Sequence, residues 1–190
     1  MRRIVFGLLV VVLLGACNQG APRQGSGSAT AAPNDADVTF TQNMIPHHQQ
    51  AIEMAKLVDA RTQRPQLHTL ADAITVSQGQ EVTLMQGWLQ DWGKPATPQG
   101  MDHGARHMPG MMSEAQLRQL AATRNQDFDL AFVDLMTTHH QGAIEMATTE
   151  LRDGSLSEVK RLAQQIVDAQ QAEIDQFKVW QQEWEAAPIR

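Results

Sequence analysis

Residues 44–55 read MIPHHQQAIEMA, and the same pattern returns 92 positions later as MTTHHQGAIEMA in residues 136–147. The same offset pairs Asp37 with Asp129, well outside the quoted stretch. A single register that extends beyond one short motif is typical of an internal duplication. We therefore predict that the chain contains two copies of one structural unit.

Each unit predicts a hairpin of two helices. Ile52, Ala55 and Val58 recur at the three-residue spacing of an amphipathic helix. Turn-forming residues follow at 64–65 (Arg-Pro) in the first unit and at 153–155 (Asp-Gly-Ser) in the second. The four predicted helices cover residues 35–60, 66–92, 126–152 and 156–185.

A long segment, residues 93–125, joins the two hairpins. Within it, residues 113–123 predict a short helix for which Ser113 is a suitable N-cap. Four amphipathic helices of this length favour a bundle. We predict an all-α, ferritin-like four-helix bundle in which a crossover links two hairpins. Simple up-down-up-down connectivity is the alternative.

The N-terminal residues predict export. A basic start and a short apolar run end in Leu-Gly-Ala-Cys17, which resembles a bacterial lipobox. Cys17 would then be lipidated; an ordinary secretion signal with a chance cysteine is the alternative. We expect a signal peptide with its lipobox cysteine over residues 1–17, a flexible Gly/Ser/Ala/Pro tether over 18–34, and a helical domain over 35–186, divided into repeat 1 (35–93), crossover (94–124) and repeat 2 (125–186).

Charge and cysteine content exclude several classes of function. The chain carries a formal net charge of −6 and shows no basic face, so nucleic acid is not an expected partner. A single cysteine rules out an internal disulfide. No Ser-His-Asp or Cys-His arrangement supports a hydrolase.

Histidine and methionine are concentrated together in three short stretches. Thioether sulfur is a soft ligand suited to Cu(I), and imidazole binds copper, zinc, iron or nickel. A thiolate-free mixture of the two indicates copper, as Cu(I) before Cu(II), with silver and zinc behind it. Satisfied polar histidines and ordinary methionine packing are the alternatives. The candidate ligands are Met44, His47, His48, Met54, His103, His107, Met108, Met111, Met112, Met136, His139, His140 and Met146.

Helix geometry limits which of these ligands can share an ion. Residues three or four apart are neighbours on a helix surface, so Met44 can cooperate with either adjacent histidine, and Met136 can do the same. If the first helices of the two units pack antiparallel, Met54 lies level with Met136, and Met146 lies level with Met44. Pro46 should kink the first helix, either to open the site or as neutral divergence.

Polar residues near the motif are candidates for supporting the imidazoles. Glu53 and Glu145 could act as ligands, as hydrogen-bond partners of imidazole, or as surface charges. Their spacing from the histidines lacks the Glu-x-x-His pattern of di-iron bundles. Side chains of the facing helices could orient the imidazoles. The supporting candidates are Glu53, Glu145, Gln78, Gln170, Glu81 and Glu173.

The segments HHQQAIEMA and HHQGAIEMA resemble the bacterial family called domain of unknown function 305. The stretch MPGMMSEAQLRQL, followed by FDLAFVDLMTTHHQGAIEMA, is similar to the most typical part of that family. The resemblance implies an exported, ferritin-like helical domain, and copper binding or copper tolerance in some members. By match to the motif it also implies roles for the histidine pairs, for Met54 and Met146, and for Met108, Met111 and Met112. Gln50 departs from the small residue common there, which Gly142 provides in the second unit, and is expected to crowd the first site.

Three functions remain open at this point. The leading hypothesis is a copper-binding lipoprotein for sequestration, chaperoning or tolerance. It would be lipid-anchored in the periplasm, at the outer membrane of a Gram-negative cell, or on the cell surface. Its partners would be metal ions, the membrane through the N-terminal lipid only, and copper-handling proteins. A metal-dependent oxidoreductase, such as a Cu(I) oxidase, and a structural or partner-binding bundle without metal are the alternatives.

Overall fold

The computed structural model describes residues 31–97 and 108–186, and these residues form an all-helical domain. None of the helices in these two stretches is long and apolar enough to cross a membrane. The helices are α1 (Asp35–Ala55), a 3-10 turn (Val58–Ala60), α2 (Pro65–Asp91), α3 (Glu114–Ala122), α4 (Asn125–Asp153) and α5 (Ser157–Ala186). Two hairpins, α1–α2 and α4–α5, are joined through the crossover that carries α3.

Local sequence features mark the starts of these helices. Asn34 forms a capping box with Asp37 at the start of α1, and Ser113 forms one with Gln116 at the start of α3. Pro65 occupies the first turn of α2, where its missing N–H costs nothing. The predicted N-cap of the crossover helix is therefore confirmed.

The first helix ends earlier than the sequence predicts. Its α-helical part stops at Ala55 instead of continuing to residue 60, and a 3-10 turn follows. The backbone carbonyl of Arg61 accepts a hydrogen bond from the N–H of Asn125 (2.7 Å), at the start of α4. A tertiary contact thus determines the conformation of this stretch, although local periodicity favours a longer helix. Pro46 lies inside α1, which continues as an α-helix on both sides of it.

Two buried apolar clusters form the core at opposite ends of the bundle. One contains Met54 from the C-terminal half of α1 and Phe132 from the N-terminal half of α4. The other contains Phe40 from the start of α1 and Ala147 from the later part of α4. The α1 and α4 helices therefore pack antiparallel, as predicted, and the four long helices form a bundle.

Two equivalent aspartates connect each hairpin to the turn of the other. The carboxylate of Asp37 in α1 accepts hydrogen bonds from the backbone N–H groups of Ser155 and Leu156, both at 3.0 Å. Asp129 in α4 is paired with Nε of Arg64, just before α2, at 2.5 Å. Both aspartates are buried. The sequence offset that relates Asp37 to Asp129 is thus also a structural equivalence.

A strap formed by residues 108–112 crosses the bundle and breaks its internal symmetry. The side-chain amide of Gln50 donates to the backbone carbonyl of Met112 (2.9 Å) and accepts from its N–H (2.7 Å). On the other side, a Cβ added at Gly142 would lie 2.1 Å from the carbonyl oxygen of Pro109. The difference between Gln50 and Gly142 therefore serves the strap: one residue holds it by hydrogen bonds and the other makes room for it.

Replacing Gly142 with alanine should destabilise the protein by about 2 kcal/mol, because the strap or the helix must move to relieve the clash. Gly87 supplies the matched control, since it is also a helical glycine but has no atom within 4 Å of an added Cβ. Gly87→Ala should stabilise the fold by up to about 1 kcal/mol through helix propensity. Urea unfolding of both variants measures the effects. Equal behaviour of the two would contradict the close approach of the strap.

Candidate metal centre

A polar layer lies between the two apolar clusters. Each of the four long helices contributes two side chains to it, and the offset of 92 relates the two halves. We call this set the histidine layer; it consists of His47, His48, Gln78, Glu81, His139, His140, Gln170 and Glu173. All four imidazoles have no exposed surface, although each belongs to a helix with solvent on its far side.

His47 and His139 meet at the centre of this layer. Their ring centroids are 3.8 Å apart, with the ring planes tilted by 36°. They occupy equivalent positions in the two repeats, so the internal duplication places two copies of one residue in contact. The ring of His140 also lies 5.7 Å from that of Phe177, on the side of one apolar cluster.

Hydrogen bonds determine which nitrogen carries the proton in three of the four imidazoles. Nε2 of His48 pairs with the carboxylate of Glu81 at 2.6 Å, and Nε2 of His140 pairs with that of Glu173 at 2.5 Å. Nε2 of His47 lies 3.1 Å from the carbonyl oxygen of Pro109. A carbonyl or carboxylate oxygen can only accept, so Nε2 is the protonated nitrogen in each ring and Nδ1 keeps its lone pair.

These Nδ1 atoms have no partner. Nδ1 of His47, His48 and His140, and both ring nitrogens of His139, are buried without a hydrogen bond to any residue of 31–97 or 108–186. Burial, with repulsion from His48, lowers the pKa of His47 to about 3, and burial holds the pKa of His139 well below its ordinary value. These two rings are therefore neutral at physiological pH, which is the form that binds metals.

The methionines fall on both sides of the histidine layer. Met54 and Met136 share one apolar cluster, and Met44 and Met146 share the other, which is the pairing that the antiparallel arrangement predicts. Met146 is half-buried, whereas the other three have no exposed surface. Thioethers thus flank the imidazoles from above and below.

The remaining candidate ligands lie on the strap and on the crossover, and the methionines of the strap differ in their burial. Met112 is buried in the same apolar cluster as Met54, while Met108 and Met111 are half-buried. His103 and His107, and also the predicted lipidation site Cys17, lie outside the described residues.

The supporting residues divide into two groups. Glu81 and Glu173 bond directly to imidazole, and Gln78 and Gln170 are buried beside them with unpaired amide oxygens. Glu53 and Glu145 are exposed and make no hydrogen bond to an imidazole in the described part of the chain. The third support, the carbonyl of Pro109, was not predicted, because a backbone group on a distant crossover leaves no signal in side-chain spacing.

Within residues 31–97 and 108–186, no three His, Cys, Asp or Glu side chains are placed to hold one ion. A cation at the histidine layer must therefore take thioether ligands as well, or draw imidazoles together through small rotations. Both routes favour a soft ion that accepts two or three ligands over a hard ion that needs six oxygens.

Comparisons with known proteins agree with this architecture. A secreted protein from Streptomyces coelicolor is 32% identical, with 75% of this chain and 89% of that chain covered and a TM-score of 0.70. CopM in its Cu(I)-bound form is 34% identical, with 78% and 96% covered and a TM-score of 0.67; it is also known in Cu(II)-bound and silver-bound forms.

Two further matches concern parts of the sequence. An uncharacterized protein of Acanthamoeba polyphaga mimivirus is 38% identical over 55 residues, so the chain spans about 36% of the length of that relative. The family described as domain of unknown function (DUF305) matches residues 37–181, which include both hairpins and the whole histidine layer. The chain therefore belongs to the DUF305 family.

Proposed function

We propose that this protein binds copper outside the cytoplasm, using the histidine layer and its flanking methionines. One observation carries the proposal: five buried imidazole nitrogens in a single layer have no hydrogen-bond partner among the described residues. Unpaired buried polar atoms are destabilising and rare in folded proteins. Their concentration at one level of the bundle is accounted for if a bound ion supplies the missing partner.

The fixed tautomers prepare this layer for a metal. Glu81, Glu173 and the Pro109 carbonyl each accept a hydrogen bond from one Nε2–H, which leaves the Nδ1 lone pair free. Metal-binding histidines commonly donate their second ring nitrogen to such a carboxylate or carbonyl, which orients the ring and raises its basicity. The flanking thioethers then select a soft ion, so Cu(I) is the favoured form and Ag(I) a substitute.

The family comparison supports copper as the cargo. CopM, at 34% identity and with nearly its whole length covered, takes up Cu(I), Cu(II) and silver. The Streptomyces relative is described as secreted. The secreted relative and the N-terminal pattern both favour an exported protein. The N-terminal pattern alone supports the further proposal that Cys17 carries a lipid and that residues 18–34 tether the domain to the membrane surface.

Burial of the layer favours sequestration or transfer over turnover. An oxidase acting on a bound ion needs an open coordination position that oxygen and substrate can reach. All four imidazoles of the histidine layer are shielded from solvent. Storage or chaperoning is therefore the function that this geometry serves best.

The double variant His47→Leu and His139→Leu should weaken Cu(I) binding about a hundredfold, by analogy with the effect of losing groups around a metal site. Leucine fills the space of each ring, and circular dichroism checks that the helices remain. His68→Ala is the matched control, because His68 lies outside the layer and pairs with Asp59 and the Thr62 carbonyl.

Anaerobic titration against a coloured Cu(I) chelator measures all three proteins. Wild-type affinity in the double variant would place the copper elsewhere and end the proposal. Loss of affinity in His68→Ala alone would do the same.

A further inference from the structure

An open groove lies beside the histidine layer, on the surface between α1 and α4. It has a volume of about 200 Å³. The walls come from the start of α1 and the later part of α4, together with Pro109 of the strap. We call it the access groove and define it by Thr39, Asn43, Pro109, Glu145 and Met146.

The internal repeat shows why this groove is open. The offset of 92 relates Glu145 and Met146 to Glu53 and Met54 in the first unit. At that equivalent place α3 lies against the bundle, and Glu53 and Met54 line a shallow hollow together with Leu117 of α3. As a result Met54 has no exposed surface, while Met146 is half-buried. The single crossover helix covers one of two equivalent grooves, and no described segment covers the other.

The access groove reaches the residue of the strap that contacts the histidine layer. Pro109 lines it, and the carbonyl oxygen of the same residue is the hydrogen-bond partner of His47. Met146 lies seven residues after His139 on α4, which is two helical turns on the same side, or about 10 Å. Gly142 lies between these two residues on α4 and packs closely against Pro109 and Gly110. The strap therefore separates the thioether at the groove from the imidazoles, and it must shift for an ion to pass.

We propose that soft monovalent cations reach the histidine layer through the access groove, with the sulfur of Met146 as their first ligand. This inference rests on the proposed copper-binding function. The exposed carboxylate of Glu145 attracts the cation to the mouth. Met146 is the one methionine of the four flanking the layer that solvent can reach, so it can take an ion from a donor and pass it inward by ligand exchange. No covalent bond or change of oxidation state is required.

The test separates the rate of uptake from affinity. Stopped-flow transfer of Cu(I) from a coloured chelator gives the rate, and equilibrium competition on the same samples gives the affinity. Thr39→Trp fills the groove from an exposed position, and Gln90→Trp adds the same bulk to an exposed position on α2. Met146→Leu removes the first thioether, and Met54→Leu removes its buried equivalent.

Thr39→Trp and Met146→Leu should slow uptake by about tenfold or more, as expected when a gating step is obstructed. Thr39→Trp should keep the equilibrium affinity, because it touches no ligand. Gln90→Trp should match the wild type, and Met54→Leu should lower affinity without slowing uptake. Wild-type uptake rates in both groove variants, with copper still bound at equilibrium, would overturn the inference alone. A wild-type protein that binds no Cu(I) at equilibrium would overturn the proposed function and this inference together.

Discussion

In a Glu150→Gln background, which removes one acid whose titration acts in the opposite direction, acidifying the metal-free protein from pH 6.5 to 4.5 should remove about 5 kcal/mol of folding free energy, a large part of the stability of a typical domain. His47 and His139 are buried and neutral, and the pKa of His47 is lowered from 6.5 to about 3. The unfolded chain binds a proton at each of these histidines below pH 6.5, whereas the folded chain does not. Stability is therefore complete above that pH and is lost as the pH falls, by about 1.4 kcal/mol per unit for each ring.

The groups around these two rings also favour the neutral form of each ring. The titratable groups that face them are His48 from α1, His140 from α4, Glu81 from α2 and Glu173 from α5. The two glutamates are committed to His48 and His140, so no carboxylate bonds to His47 or His139. A proton on one central ring disfavours a proton on the other, because the two ring centroids are only 3.8 Å apart.

Urea unfolding of the Glu150→Gln protein at pH 7.5, 6.5, 5.5 and 4.5 measures the loss, and the addition of His139→Leu supplies the comparison. Because neither nitrogen of His139 has a partner, leucine should leave stability at pH 7.5 unchanged or improved. It should also remove about half of the acid loss. Parallel curves with and without His139→Leu would show that His139 takes no part, and a flat curve for Glu150→Gln alone would show that the rings are not held neutral.

The fold was predictable because its signals are local or repeated. Helical periodicity, capping residues such as Ser113 and the offset of 92 each require only nearby residues or two copies of one pattern. The pairing of Met54 with Met136 followed from the same symmetry once α1 and α4 were taken as antiparallel. The end of α1 was wrong because Arg61 bonds to Asn125, and periodicity carries no information on such a distant contact.

The candidate site was predictable in its residue types and less so in its geometry. Glu81 and Glu173 were among the proposed supports, and both bond to imidazole. The role of the Pro109 carbonyl and the open access groove depend on where one crossover lies. The repeat alone would give two equivalent grooves. The crossover occurs once, so α3 lies against one of them, and the repeat does not indicate which one.

Replacing Glu150 with glutamine should stabilise the protein by about 3 kcal/mol at pH 7 relative to the wild type, with almost no difference near pH 4. Glu150 is only 1% exposed, and neither of its carboxyl oxygens has a hydrogen-bond donor. Burial, with the hydrogen bond and charge of Asp37, raises the pKa of Glu150 from 4.5 to about 8, although Lys160 opposes this. Burial also acts to raise the pKa of Asp37, but hydrogen bonds from Ser155, Leu156 and Asn34 outweigh it, so Asp37 keeps its charge.

The direction of the pH effect follows from which state holds the proton. Between pH 4.5 and about 8 the folded protein keeps the proton of Glu150, and the unfolded chain releases it. Wild-type stability from this group is complete below pH 4.5 and falls as the pH rises through that window. Glutamine imitates the protonated acid, because its amide can donate to Asp37, and it does not titrate.

The measurement is the difference in unfolding free energy between Glu150→Gln and wild type at each pH, which removes the opposing contribution of the histidines. Glu145→Gln is the matched control: it lies on the same helix but is exposed, so it should show no such difference at any pH. A constant difference across the range would mean that Glu150 is ionised in the folded protein. Two buried charges would then face each other at the turn that Asp37 holds, and the interlock between the hairpins would be weaker than its hydrogen bonds indicate. A difference that grows steadily from pH 4.5 to 8 instead makes the neutral Glu150 and charged Asp37 a single hydrogen-bonded unit. In that case the protein is most stable in a narrow range, bounded below by its histidines and above by this one acid.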